Sequence, residues 1–152
     1  MDKLFAKLNA PLLLIWGGKD PWMNTPKKRN LYKKFTPKNT KEIAILLIHG
    51  FGASTDHWRF NIPILSSKYE VHAIDLLGFG KSPKPLDVEY SGSLWKDQVV
   101  AYVQEKIKKP TIVVGNSLGG YAALAAGAEL NELNAGVILL NAAGYFLSLI
   151  HI

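Results

Sequence analysis

Short apolar-rich runs recur along the chain, and each ends at glycine or at polar residues. Runs of this length are typical of strands that a parallel sheet buries on both faces. The predicted strands are Leu12–Trp16, Ile43–Ile48, Tyr69–Ile74, Thr111–Val114 and Ala135–Leu140.

Segments with helical spacing separate most of these runs. The clearest extends from Ser91 or Ser93 to about Lys108, and its large side chains share one face: Trp95, Val99, Tyr102, Val103 and Ile107. Caps and breakers predict further helices from Ser54 or Thr55 to Leu65, at Leu118–Leu130, at Asp2–Leu8 and from Pro26 to about Phe35. Strands that alternate with helices predict an α/β fold, a mostly parallel sheet flanked by helices.

Positive charge is concentrated at the start of this 152-residue chain. Residues 1–42 hold ten Lys/Arg and three acids, a net charge of +7, whereas the remainder is −1. Such a segment either attracts an anionic surface or is a solvated helix and linker, and no interleaved aromatic motif favours the first interpretation. We therefore expect no nucleic-acid partner.

A tight turn around Ser117 joins the run Thr111–Val114 to an alanine-rich helix. Gly115-Asn116-Ser117-Leu118-Gly119 has the G-x-S-x-G spacing of a nucleophile elbow, in which the glycines let strand and helix pack closely. This spacing at a strand-to-helix turn predicts Ser117 as a nucleophile.

The loop after the second run reads His49-Gly50-Phe51-Gly52. An acyl-transfer site holds its oxyanion with the N–H of the residue after the nucleophile and with one from such a loop. The predicted donors are the backbone N–H groups of Phe51 and Leu118. The residues predicted to line the pocket are His49, Gly50, His57, Trp58 and Asn116.

Four segments resemble the α/β-hydrolase superfamily over about Glu42–Gly144: HGFGASTDHWRFNIP, AIDLLGFGKSPKP, VVGNSLGGYAALAAG and GVILLNAAG. They are most similar to its serine-nucleophile branch, near epoxide-hydrolase-like and pheophytinase-like proteins. The resemblance implies hydrolysis of an ester, thioester or related acyl bond in a small molecule. It also implies the strand order 69–74, 43–48, 111–114, 135–140.

Asp20 lies in Trp16-Gly17-Gly18-Lys19-Asp20-Pro21-Trp22, which resembles the family strand that carries the triad acid at its end. The alternative role for Asp20 is an Asx cap before Pro21. In the family this strand follows the nucleophile, so the present chain is expected to be permuted or joined from two pieces. The run 12–16 would then pair with 135–140 at the far edge of the sheet.

The resemblance divides the chain into three segments. Residues 1–41 resemble the acid-bearing strand and helix, residues 42–146 the hydrolase core, and residues 147–152 form a tail that is predicted to be non-native. The lid, the final strand and the first antiparallel strands of the family are not recognised, which predicts a partial fold with 69–74 as an exposed, aggregation-prone edge.

No histidine stands where the resemblance implies a catalytic base. His49 belongs to the oxyanion turn and His72 to a strand, which leaves His151 by chain position and His57 by proximity. Two hypotheses stay open: a serine hydrolase, or a catalytically incomplete fragment that at most binds a hydrophobic ligand.

The sequence gives little indication of a membrane, secreted, metal-binding or cofactor-binding protein. No apolar run approaches the roughly 18–20 residues of a membrane span, and the start is a poor signal peptide, so we expect a cytoplasmic or organelle-stromal protein. No metal or cofactor is predicted, because no His/Asp/Glu cluster has ligand spacing and residues 115–120 do not form G-x-G-x-x-G. The oligomeric state is left open.

Overall fold

The structure is a computed structural model that describes residues 7–8, 10–15 and 42–143. In that part of the chain, five strands form one sheet and every pairing is parallel. The strands are β1 (Leu12–Ile15), β2 (Ala44–Ile48), β3 (Glu70–Ile74), β4 (Thr111–Asn116) and β5 (Asn134–Leu140).

The strand order is β1-β5-β4-β2-β3, which confirms the predicted order. β1 pairs with β5 in the register Leu12↔Val137 to Ile15↔Leu140, although it comes first in the chain. β2 has all five residues buried, as a strand covered on both faces requires. β3 pairs only with β2 among the described strands and is therefore an edge there; its tendency to aggregate stays a prediction.

Among the residues that the structure describes, three α-helices accompany the sheet: α1 (Asn61–Ser66), α2 (Gly92–Tyr102) and α3 (Leu118–Gly127). Shorter turns complete the described part, two 3-10 helices at Thr55–Trp58 and Asn131–Leu133 and a π-helical turn at Val103–Ile107.

The single helix predicted from Ser54 or Thr55 to Leu65 is wrong, because a 3-10 helix and α1 share this stretch. A continuous helix would place Pro63 in its interior, where proline lacks the N–H for the backbone bond. In α1, Pro63 falls in the first turn, where the N–H groups have no intrahelical acceptor. Ser54 is the cap of the 3-10 helix, since its Oγ accepts from the Asp56 N–H at 3.4 Å.

α2 begins where the sequence predicts. The Oγ of Ser91 accepts from the N–H of Leu94 at 3.2 Å, which satisfies one free donor of the first turn. The π-helical turn after α2 ends at Ile107, and the next residue, Lys108, adopts the left-handed conformation with φ 59°. The predicted inward face is confirmed, with Trp95, Val99, Val103 and Ile107 buried and Tyr102 partly buried.

The core lies on both faces of the sheet, since successive strand residues point to opposite sides. Ala44, Leu46 and Ile48 join the larger cluster, which α2 and α3 cover. Ile45 and Leu47 join a smaller cluster with Trp58 on the other face. The two faces together fix the carboxyl ends of β2 and β4 side by side.

Several predictions fall on residues outside the described part: Asp20, most of Asp2–Leu8, the helix from Pro26 to Phe35, Gly144 and the tail 147–152. In the part that is described, no helix combines the length and apolar character of a membrane-spanning segment.

Candidate active site

Ser117 occupies a strained turn between β4 and α3. Its φ and ψ are 50° and −116°, a region that residues other than glycine rarely adopt. Backbone bonds hold this conformation, because the Ser117 N–H donates to Leu140 O at 3.1 Å and the Ser117 carbonyl accepts from Gly120 N and Ala143 N at 3.0 and 2.8 Å. The loop after β5 thus fixes the turn from the neighbouring strand.

The two glycines of the G-x-S-x-G pattern permit close backbone contact. A Cβ on Gly115 would overlap the carbonyl oxygen of Gly119, so β4 and α3 could not approach as they do. A Cβ on Gly119 would overlap the carbonyl oxygens of Ile48 and His49. The start of α3 therefore packs directly against the end of β2, which explains why the pattern needs glycine at both positions.

The loop after β2 lies against Ser117. A Cβ placed on the buried Gly50 would be 3.2 Å from Ser117 Cβ and 2.9 Å from Asn116 Oδ1. Phe51 follows immediately, and Leu118 is the first residue of α3, where an N–H has no intrahelical acceptor. The structure thus brings Gly50, Phe51, Asn116, Ser117 and Leu118 together at the positive end of a helix dipole.

The side chain of Asn116 contacts the end of β5 beside the Ser117 turn. Its Nδ2 donates to Leu140 O at 3.3 Å, the same carbonyl that accepts from Ser117 N–H. The side chain is half-buried and its Oδ1 faces Gly50. Asn116 therefore links the elbow to the end of β5 and lies against the loop after β2.

His49 is fully buried, and both of its ring nitrogens are engaged. Nε2 accepts from the Leu76 N–H at 3.0 Å, so the proton lies on Nδ1, which donates to Gly50 O at 2.7 Å. The ring links the loop after β2 to the loop after β3 and offers no nitrogen to a substrate.

Asp75, which sequence reasoning did not select, joins the same two loops. Its carboxylate accepts from Thr55 N at 2.6 Å and from Lys81 N at 2.7 Å, and its carbonyl accepts from Ser82 Oγ and Gln98 Nε2 at 2.6 and 3.0 Å. Burial raises the pKa of Asp75, but the N–H donors of Lys81 and Thr55 outweigh it and hold the pKa below its ordinary value. An acid at the end of a strand, before a glycine-rich loop, is the signal that could have found it.

His57 and Trp58 lie on the 3-10 helix beyond the loop. Trp58 is buried in the smaller core cluster, and its indole N–H has no hydrogen-bond partner among the described residues. His57 is exposed and packs edge-on against Trp58, with centroids 4.9 Å apart. Trp58 is thus primarily a core residue.

His72 stands on the edge strand β3, two strands from β4 and therefore about 10 Å away. Its Nε2 lies 2.8 Å from Glu70 Oε1, and its Nδ1 lies 3.3 Å from Tyr102 Oη. Hydrogen bonds from Lys109 and then from His72 lower the pKa of Glu70. No described histidine hydrogen-bonds Ser117, while Asp20 and His151 lie outside the described residues.

Residues 43–151 match the family described as alpha/beta hydrolase fold. The chain is 34% identical, over an alignment of 151 residues, to the chloroplastic pheophytinase of Arabidopsis thaliana, covering 80% of this chain and 31% of that protein. It is 38% identical over 108 residues to 2-hydroxy-6-oxo-6-(2'-aminophenyl)hexa-2,4-dienoic acid hydrolase of Metapseudomonas resinovorans, covering 66% of this chain and 36% of that protein.

A solved structure agrees with these relatives. The meta-cleavage product hydrolase of Pseudomonas fluorescens IP01 superimposes with a TM-score of 0.63 at 32% identity, covering 70% of this chain and 40% of that chain. The chain belongs to the α/β-hydrolase family, which confirms the resemblance of its four segments. It spans about a third of the length of the two curated relatives.

Proposed function

We propose that this chain is a serine hydrolase that acts on an ester or related acyl bond of a small molecule. The observation that carries the proposal is the strained conformation of Ser117 directly beside the Gly50–Phe51 loop. The two relatives that are named as hydrolases support the reaction type. The chloroplastic relative is compatible with an organelle-stromal location, one of the two compartments proposed.

In this proposal the Ser117 Oγ attacks the substrate carbonyl carbon and transfers its proton to a base. The carbonyl oxygen becomes an oxyanion, which accepts hydrogen bonds from the N–H groups of Phe51 and Leu118. Loss of one such donor typically costs about 2.7–4 kcal/mol of transition-state stabilisation. The C–O bond then breaks, the alcohol leaves with a proton, and water hydrolyses the acyl-serine. Asp20 is the proposed acid that orients the base.

The test is covalent labelling of the full chain with a fluorophosphonate, followed by peptide mass spectrometry. Labelling is expected on Ser117 and is expected to disappear in Ser117→Ala. Ser67→Ala is the matched control, because Ser67 is exposed on another element and donates to Ile64 O. Release of p-nitrophenol from short-chain esters should likewise exceed that of Ser117→Ala. Labelling of another residue, or no labelling, would contradict Ser117 as the nucleophile.

The second candidate is a catalytically incomplete fragment that binds a hydrophobic ligand without turning it over. It is favoured because no histidine of residues 42–143 hydrogen-bonds Ser117. His49 is fully engaged in structural hydrogen bonds, and His72 stands on β3. Labelling of Ser117 at a rate abolished by Ser117→Ala would exclude it. Ligand binding with neither labelling nor turnover would favour it over the first proposal.

A further inference from the structure

Aromatic rings connect the loop after β2, which lies against Ser117, to the loop after β3. Phe51, after β2, packs edge-on against Phe79, after β3, with centroids 5.3 Å apart and planes at 72°. Phe79 is in turn edge-on to His49 at 5.7 Å. We call His49, Phe79 and Phe51 the aromatic column, because the rings lead from a fully buried side chain to an exposed one.

The inner part of the aromatic column is held rigidly. Phe79 N–H donates to Leu76 O at 2.9 Å, and the Phe79 ring lies 5.9 Å from that of Trp95. The Trp95 indole N–H donates to Leu77 O at 2.9 Å, which attaches α2 to the same loop. A ligand that meets Phe51 therefore meets a surface that is already ordered, so binding requires little further loss of side-chain freedom.

The outer ring of the column is open to solvent. Phe51 is 77% exposed, although it follows the buried Gly50 at the nucleophile. A scattered exposed apolar side chain needs no explanation by itself. Phe60 is similarly exposed at 71%, but its ring is already in contact with a charged neighbour, because the guanidinium of Arg59 lies 4.4 Å from the ring centroid. Phe51 instead belongs to the aromatic column and directly follows Gly50, which lies against Ser117.

We propose that Phe51, supported by Phe79, is a specificity-determining residue that binds an aromatic or other flat conjugated group attached to the substrate carbonyl. The inference rests on the proposed function, which places that carbonyl beside Ser117. In the proposed function the backbone N–H of Phe51 donates to the carbonyl oxygen, which brings the groups bonded to the carbonyl carbon close to the residue that carries the ring. An aromatic pair adds a gain beyond its buried area, equivalent to about two- to tenfold in affinity.

Two ketones test this preference without requiring turnover. Acetophenone and cyclohexyl methyl ketone share a methyl ketone and a six-membered ring, and they differ in whether the ring is flat and aromatic. Their dissociation constants are measured by NMR titration of the full chain. Acetophenone is expected to bind about two- to tenfold more tightly, and Phe51→Leu, which keeps an apolar side chain without a ring, is expected to abolish that ratio.

Two further variants complete the design. Phe60→Leu should keep the ratio, because its ring belongs to another surface. Ser117→Ala should also keep it, so a failure of the proposed nucleophile is distinguishable from a failure of this inference. Equal affinities in the unchanged chain, no binding of acetophenone, an unchanged ratio in Phe51→Leu, or loss of the ratio in Phe60→Leu would each overturn the assignment. Circular dichroism verifies that the variants are folded.

Discussion

Asp75 connects the loop after β3 to the segment after β2, which borders the candidate site, by accepting a backbone N–H from each. Thr55 belongs to the segment after β2 and Lys81 to the segment after β3. Because the side chain is only 8% exposed, these bonds stabilise a carboxylate that would otherwise be poorly solvated. His49 also joins these two loops, through Gly50 O and Leu76 N–H, so single polar side chains position the candidate oxyanion loop.

Replacing Asp75 by Asn should lower the free energy of unfolding by about 1–3 kcal/mol at pH 7, since one N–H donor loses its charged acceptor. The pKa of Asp75 is lowered in the folded state. Its stabilisation is therefore fully present above the ordinary carboxyl pKa of about 4 and is lost as the pH falls through the lower folded value. The difference between the two proteins should shrink between pH 5 and roughly 3, measured by urea unfolding.

Asp87→Asn is the matched control for this experiment, because Asp87 is an exposed acid of the same loop region. It should change stability by less than about 0.5 kcal/mol. An Asp75→Asn variant whose deficit is the same at every pH would show that the charge of Asp75 contributes nothing to stability.

At the scale of elements, Asn134 joins the end of α3 to the start of β5. Its Nδ2 donates to Gly127 O at 2.7 Å, and its Oδ1 accepts from Gly136 N at 3.0 Å. Gly127 is the last residue of α3, so the side chain satisfies a carbonyl that has no intrahelical partner. The elbow stands at the other end of the same helix, and its position depends on how α3 is anchored.

Asn134→Ala should destabilise the protein by about 1–3 kcal/mol, because it leaves the buried Gly127 carbonyl and Gly136 N–H without these partners. Asn61→Ala, at an exposed position at the start of α1, is the control and should have a much smaller effect. Thermal unfolding measures both. Equal shifts in the melting temperature for the two variants would contradict the anchoring role of Asn134.

At the scale of the whole molecule, a strand from the beginning of the chain completes the described sheet. β1 lies beside β5, and Val137 N–H donates to Pro11 O at 2.9 Å at the start of this pairing. The other side of β5 pairs with β4, which carries the elbow at its end. β1 thus protects one side of the strand whose terminal loop holds Ser117 in place.

Deletion of residues 1–15 should accelerate hydrogen exchange at the amide of Val137 by at least about tenfold, because its acceptor is removed. The amide of Val113, in the central strand β4, should be much less affected. Two-dimensional NMR of both proteins gives the comparison. An unchanged exchange rate at Val137 would show that β1 does not pair with β5 in solution.

Periodicity and turn chemistry predict most of the architecture. The apolar runs locate all five strands to within two residues at each end, because runs this short that end at glycine or polar residues are typical of strands in a parallel sheet. The glycines of G-x-S-x-G predict the close contacts at Ser117, since any Cβ there would overlap backbone atoms. The sequence pattern does not predict the helix break between Trp58 and Asn61, although Pro63 would be unfavourable in the interior of one continuous helix.

Sequence alone was sufficient for the fold class, the elbow and the family, because these depend on local spacing and composition. It was insufficient for the roles of Asp75 and the aromatic column. These arise because β2 and β3 are neighbouring parallel strands, so the loops that follow them lie side by side. Thr55 and Lys81 are far apart in the chain from one another and share one carboxylate only in the folded protein. Contacts of this kind depend on strand order and register, which place distant residues within hydrogen-bond distance.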